Sequence, residues 1–178
     1  MARFPCQDGE PCNRCGGCCK IRENFRMDVV DELTIKQKVY ARTRVLYLYP
    51  MNRYTISLSN EEKARLERIA KERNISISIL PKKVIYDVKT DKAVVWDWFV
   101  DHEICPFLKG DNECTIYEDR PEICRMFPEI KNEQMFEIQD FVKDISVSDE
   151  PYDVLVEKAR AALARGGVLE KPKSIYLN

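Results

Sequence analysis

Histidine is almost missing from this chain: His102 stands alone among 178 residues. A hydrolytic triad with a serine or cysteine nucleophile therefore cannot be built without enlisting that one residue. No apolar run approaches the roughly 20 residues needed to cross a bilayer. The opening Met1-Ala2-Arg3-Phe4-Pro5-Cys6 has no apolar core of the kind a secretory signal carries. The expectation is a cytoplasmic protein with no membrane partner. Internal repeats and low-complexity stretches are lacking too. So is an excess of charge: 29 basic residues face 30 acidic ones, for a formal net charge of −1. Whole-molecule charge gives no attraction to nucleic acid, which is not expected as a partner, although a local basic patch stays open.

What is present is a chain of ordinary globular make-up, 44% hydrophobic and 33% charged. That suffices for one folded domain over residues 1–178 with a real core. It also holds eight cysteines. In a reducing compartment so many thiols point to metal or redox chemistry rather than to a disulfide frame. Disulfides would require a hyperthermophilic source, which the wealth of Lys, Glu and Arg fits without establishing.

The cysteines fall into two groups. Cys12, Cys15, Cys18 and Cys19 spell Cys-x2-Cys-x2-Cys-Cys, in a turn-rich stretch with Gly9, Pro11, Asn13, Gly16 and Gly17. Cys105, Cys114 and Cys124 follow after 85 intervening residues, with eight and nine residues between them. A Cys-x2-Cys turn bends two thiolates toward one metal. The adjacent Cys18 and Cys19 point apart, so they serve two metals or leave one thiol outside the centre. Cys6, separated from the first group by five residues, reads equally well as a small buried residue. The pattern implies one site assembled from two remote segments, with folding coupled to metal binding. All seven sulfurs are expected to converge.

Two metals suit soft thiolates. Cys-x2-Cys-x2-Cys with a distant Cys105-Pro106 matches the ligand set of a ferredoxin-type iron–sulfur cluster, 4Fe-4S in kind. Such a cluster leaves Cys19, Cys114 and Cys124 unused. Zinc is the alternative, with one or two tetrahedral thiolate sites using most of the seven. Arg14, Lys20, Arg120 and Arg125 either offset thiolate charge or form a solvated surface.

Between the groups, Val29, Val30, Leu33 and Val39 mark helical turns, while Val45, Tyr47 and Tyr49 alternate like a strand. Ser59 with Glu62 is a capping-box signature, and Leu66, Ile69 and Ala70 continue a helix over about residues 60–73. Residues 84–88 and 93–99 read as a β-hairpin around the polar turn Lys89 to Lys92. It leads the chain to Cys105. A short helix is expected near Cys124, with Asp119 as its cap and Pro121 in its first turn. A last helix opens near Asp149 and Pro151, ends at Gly166-Gly167, and begins a C-terminal helix-and-tail region, 149–178. The fold class is α+β: a small single domain of helices and a β-hairpin around a cysteine-rich metal site.

The sequence resembles the CxxCxxCC, or YkgJ-like, cysteine-cluster proteins, described as zinc- or iron-chelating domains. The match rests on Cys12-Asn13-Arg14-Cys15-Gly16-Gly17-Cys18-Cys19, on Cys105-Pro106-Phe107-Leu108, and on Cys114 through Arg125 with the trailing Met126-Phe127-Pro128. It covers roughly residues 12–128. The resemblance implies metal chelation by Cys12, Cys15, Cys18, Cys19, Cys105, Cys114 and Cys124, with Cys6 outside the pattern and no reaction specified. Flagellin lysine methylases are similar in this cysteine signature. The chain departs from a methylase in lacking a Gly-rich strand-to-helix fingerprint for an adenosyl cofactor. It also lacks the Cys-x3-Cys-x2-Cys spacing of radical enzymes that use that cofactor.

His102, three residues before Cys105, could complete a metal shell, but seven thiolates suffice without it. Trp96 and Trp98 share one strand face. Core packing, or a wall beside the cysteines, outweighs stacking on a base. Asp87, Asp97, Asp101 and Glu103 show no spacing that pairs them as acid and base. Three functions follow: a zinc- or iron–sulfur-binding protein, an iron–sulfur redox or electron-transfer carrier, or an accessory subunit or enzyme related to protein lysine methylation that works with a protein partner.

Overall fold

In a computed structural model of the chain, the residues described are 16, 19–20, 29–126, 141–146, 148 and 150–167. The architecture is α+β, with helices and antiparallel sheet. Among the described residues, no helix is long and apolar enough to cross a membrane. The chain forms two compact units, one of residues 1–27, 50–80 and 97–131, the other of residues 28–49, 81–96 and 132–178.

Helix α1, Val29–Thr43, opens with Asp31 and Glu32 in its first turn and Arg42 in its last, the charge order that the helix dipole favours. Leu33 is exposed, whereas Val39 packs against a cluster of Val45, Ile85, Val94 and Trp96. Of the described residues of the apolar stripe read from the sequence, Val39 is thus the one partly buried. Arg44, at φ 58°, takes the left-handed position that ends the helix, and its amide donates to the Tyr40 carbonyl at 2.8 Å. Strand β1, Val45–Leu46, then begins.

Strand β2, Ser57–Leu58, leads into helix α2, Asn60–Glu72, where the expected capping box is present. Ser59 Oγ accepts from the Glu62 amide at 3.1 Å, and Glu62 Oε2 accepts from the Ser59 amide at 2.9 Å. Leu66, Ile69 and Ala70 form its buried face. They join Ile56, Leu58, Val100, Phe107 and Ile116 in the core of the first unit.

The hairpin is there as well, with strands β3, Ile79–Asp87, and β4, Lys92–Val100. β3 starts earlier than its apolar run because residues 79–83 are only partly buried and show no alternation. β1 pairs antiparallel with β3 and β2 with β4, in the strand order β1-β3-β4-β2. Within the turn, Asp87 accepts from the Lys89 amide at 3.1 Å and the Thr90 hydroxyl at 2.7 Å. Trp96 is buried in the cluster around Val94. Trp98 packs on the Leu66 cluster, with Nε1 donating to Asn60 Oδ1 at 2.7 Å and Lys63 over its ring. The packing reading of both tryptophans holds.

The C-terminal helix, Tyr152–Ala164, has Leu155, Ala159 and Ala162 on its buried face. It closes in a Schellman turn: Gly166 sits at φ +72°, and the Gly167 amide reaches the Ala162 carbonyl at 2.9 Å. Pro151 precedes this helix without a side-chain cap; Asp149 lies outside the described residues.

Candidate metal centre

The second cysteine group rides on a small, locally braced segment. The Leu108 amide donates to the Cys105 carbonyl at 2.9 Å, closing the Cys105-Pro106 turn. Strands β5, Leu108–Lys109, and β6, Glu113–Cys114, pair antiparallel with Leu108 opposite Cys114. Thr115 doubles this tie, its amide and hydroxyl both donating to the Phe107 carbonyl at 2.8 and 3.0 Å. A 3-10 turn, Tyr117–Asp119, precedes helix α3, Glu122–Met126, which carries Cys124.

Asp119 does not cap α3, because it lies inside the 3-10 turn. Instead the Glu122 amide donates to Glu62 Oε1, reaching it from α2 at 2.6 Å. Pro121 stands just before the helix, and its carbonyl accepts from the Cys124 amide at 3.0 Å.

From the first group, Gly16 and Cys19 are described. The Cys19 amide donates to the Gly16 carbonyl at 3.0 Å, and the Cys19 carbonyl accepts from the Cys105 amide at 2.8 Å. Gly16 has φ +75°, and a Cβ there would lie 2.7 Å from Asn112 Oδ1. Both constraints demand glycine at this position. Cys12, Cys15 and Cys18, like Cys6 and Arg14, lie outside the described residues.

Cys19, Cys105, Cys114 and Cys124 line one cavity, and none of them is in a disulfide. Its remaining wall is mainly apolar, with Ile56, Leu66, Val100, Phe107 and Ile116. The hydrogen bond from the Cys19 thiol pulls the Cys105 thiol below its ordinary pKa. Burial opposes this, the Phe107 amide assists it, and negative charge on Cys124 and Cys114 opposes it further. Among the described residues, no three His, Cys, Asp or Glu side chains stand as a ready-made metal site. The chemistry of the donor set is nevertheless that of a soft metal. The described lining residues include four sulfurs and neither a carboxylate nor an imidazole, which suits zinc or iron–sulfur rather than magnesium or calcium.

The family model CxxCxxCC, described as a "Putative zinc- or iron-chelating domain", matches residues 11–143, three-quarters of the chain. The chain belongs to this family. The matched span contains Cys12 through Cys124 and leaves out Cys6. No curated protein and no solved structure matches the chain.

Other polar residues of this CxxCxxCC domain act on the backbone. Arg120 stacks on Tyr117 at 3.7 Å and donates from Nε to the Tyr117 carbonyl at 2.8 Å. Arg125 donates to the carbonyls of Arg120 and Glu118 at 3.1 and 2.9 Å. Both arginines therefore brace the loop between Cys114 and Cys124. His102 follows β4 half-buried and is not among the cavity's lining residues. Asp87 serves the hairpin turn, and Asp101 pairs with Arg53. Sequence reasoning missed Asn112 and the second role of Glu62. The run Gly110-Asp111-Asn112 carries a turn signal that points to Asn112. Nothing local signals that Glu62 reaches Glu122, 60 residues away.

Proposed function

We propose that this protein binds metal through Cys12, Cys15, Cys18, Cys19, Cys105, Cys114 and Cys124, drawn from two remote segments into one centre. One observation carries the reading: Cys19 shares a cavity with Cys105, Cys114 and Cys124 and is tied to Cys105. Seven thiolates exceed the four that one tetrahedral zinc takes. The centre is therefore one or two zinc ions or an iron–sulfur cluster of the 4Fe-4S kind, with thiols to spare where only four are used. Zinc would supply a closed structural node, and a cluster would supply an electron-transfer centre. In both, the apolar wall limits the water around the sulfurs. Reduced thiols at this density suit a cytoplasmic setting.

Metal analysis of anaerobically purified protein tests the proposal. Stoichiometric zinc, or iron with acid-labile sulfide and a visible chromophore, is the expected result, and which one appears decides between structural node and redox carrier. Cys105→Ser should lose most of the metal, while Cys6→Ser should retain it. A wild-type chain that takes up neither metal would refute the reading.

A further inference from the structure

Helix α2 holds the second cysteine segment by its backbone. Glu62 Oε1 accepts from the Glu122 amide at 2.6 Å while Oε2 accepts from the Ser59 amide. Arg65 Nη2 donates to the Arg120 carbonyl at 3.4 Å, and Arg73 Nη1 donates to the Thr115 carbonyl at 2.5 Å. These contacts reach the residue after Cys114 and the first residue of the helix that carries Cys124. Helix α3 starts at Glu122. Its leading amides have no partner within the helix. Its position is therefore imposed from outside, and the Glu62 carboxylate is where that constraint enters.

Resting on the metal-binding reading above, we propose that Glu62 is the positioning residue of the metal centre. The carboxylate that starts α2 also starts α3, and so aims the Cys124 thiol before any metal arrives. Arg65 and Arg73 hold the carbonyls upstream of it. A ligand set fixed in advance loses less freedom when the ion binds.

The test compares zinc affinity, by chelator competition on the full chain, for wild type, Glu62→Ala, Glu62→Gln and Ser59→Ala. Ser59→Ala breaks the other half of the same capping box and leaves the Glu62 to Glu122 bond in place. Loss of a group that orients a metal ligand costs on the order of 10- to 100-fold in affinity. Glu62→Ala should weaken zinc by at least the lower figure, and Glu62→Gln, which keeps a carbonyl acceptor, should recover part of it. Ser59→Ala should bind as wild type does. Cobalt absorption should show altered thiolate coordination in Glu62→Ala alone. Unchanged affinity in Glu62→Ala, or an equal loss in Ser59→Ala, overturns the proposal. Should Glu62→Ala not fold, hydrogen exchange of the Glu122 amide in wild-type apoprotein carries the test. Protection supports the proposal and free exchange overturns it. A wild type that binds neither zinc nor cobalt removes the metal reading, and this proposal with it.

Discussion

Gly16→Ala probes the junction between the two cysteine segments through two separable costs. Gly16 sits at φ +75°, where an L-residue with a Cβ loses roughly 1–2 kcal/mol. The new methyl would also lie 2.7 Å from Asn112 Oδ1 and 3.0 Å from its Cγ. Relieving that overlap means displacing Asn112, and overpacking of this kind costs about 1–3 kcal/mol. The single substitution should therefore remove about 2–5 kcal/mol in all. Asn112 has φ 59°, so Asn112→Gly tolerates its backbone while deleting the obstructing atoms. In a double-mutant cycle the second substitution should return the steric part, a coupling of about 1–3 kcal/mol, and leave the conformational part unrepaired. Urea unfolding of the metal-free full chain, followed by circular dichroism, measures each corner of the cycle. Because the Gly16 carbonyl holds the Cys19 amide, zinc affinity should fall along with stability. Additive effects, with coupling within about 0.5 kcal/mol of zero, would show that Gly16 and Asn112 do not touch.

Two further substitutions test the second unit. Burial alone would raise the Asp87 pKa, but donors from Thr90, Lys89 and Ser146 outweigh it and hold the carboxyl below its ordinary value. A depressed folded-state pKa gives stability that is present above the unfolded value, near pH 4, and lost as pH falls through the folded value. Asp87→Asn should then cost about 1 kcal/mol near pH 7, with the gap to wild type closing below about pH 4; a gap constant with pH in urea titrations would contradict this. Gly166, at φ +72° with open space around it, should lose about 1 kcal/mol on change to Ala and less on change to Asn, which tolerates the left-handed region. Equal melting temperatures for the two variants would show that backbone strain is not the cause.

The parts of the fold that were legible in the sequence are those specified by neighbours along the chain. The capping box of Ser59 and Glu62, the apolar spacing of Leu66 and Ile69, the polar hairpin turn from Lys89 and the Gly166-Gly167 stop all act within a few residues. Left-handed positions were harder to see, because Arg44, Asn74, Asp91 and Asn112 occupy them in place of glycine. The start of α3 was misread for a related reason: Asp119 is the obvious local acceptor, but the acceptor in use comes from Glu62. Within the candidate site, spacing and resemblance singled out Cys19, Cys105, Cys114 and Cys124, which line the same cavity. The residues that hold these cysteines in place were not legible, since the contacts run between side chains and the backbone of distant segments. Arg65, Arg73, Arg120 and Arg125 look like surface charge in the sequence, yet each donates to a main-chain carbonyl of the cysteine segment.

That use of arginine bears on the electrostatics of the centre. Thiolate charge in an apolar cavity is costly unless a cation or hydrogen-bond donors offset it. Arg120 is the charged side chain among the described lining residues, and its guanidinium is committed to the Tyr117 ring and carbonyl. Cys105 receives a hydrogen bond from Cys19, while charge on Cys114 and Cys124 works against its ionisation. Among the described residues, the cavity therefore gathers four thiols beside a single guanidinium, less positive charge than several thiolates together require. A bound metal ion or cluster is a source of that charge, and its arrival would release thiol protons. The same apolar wall that makes thiolates costly without metal would strengthen the attraction once it is bound.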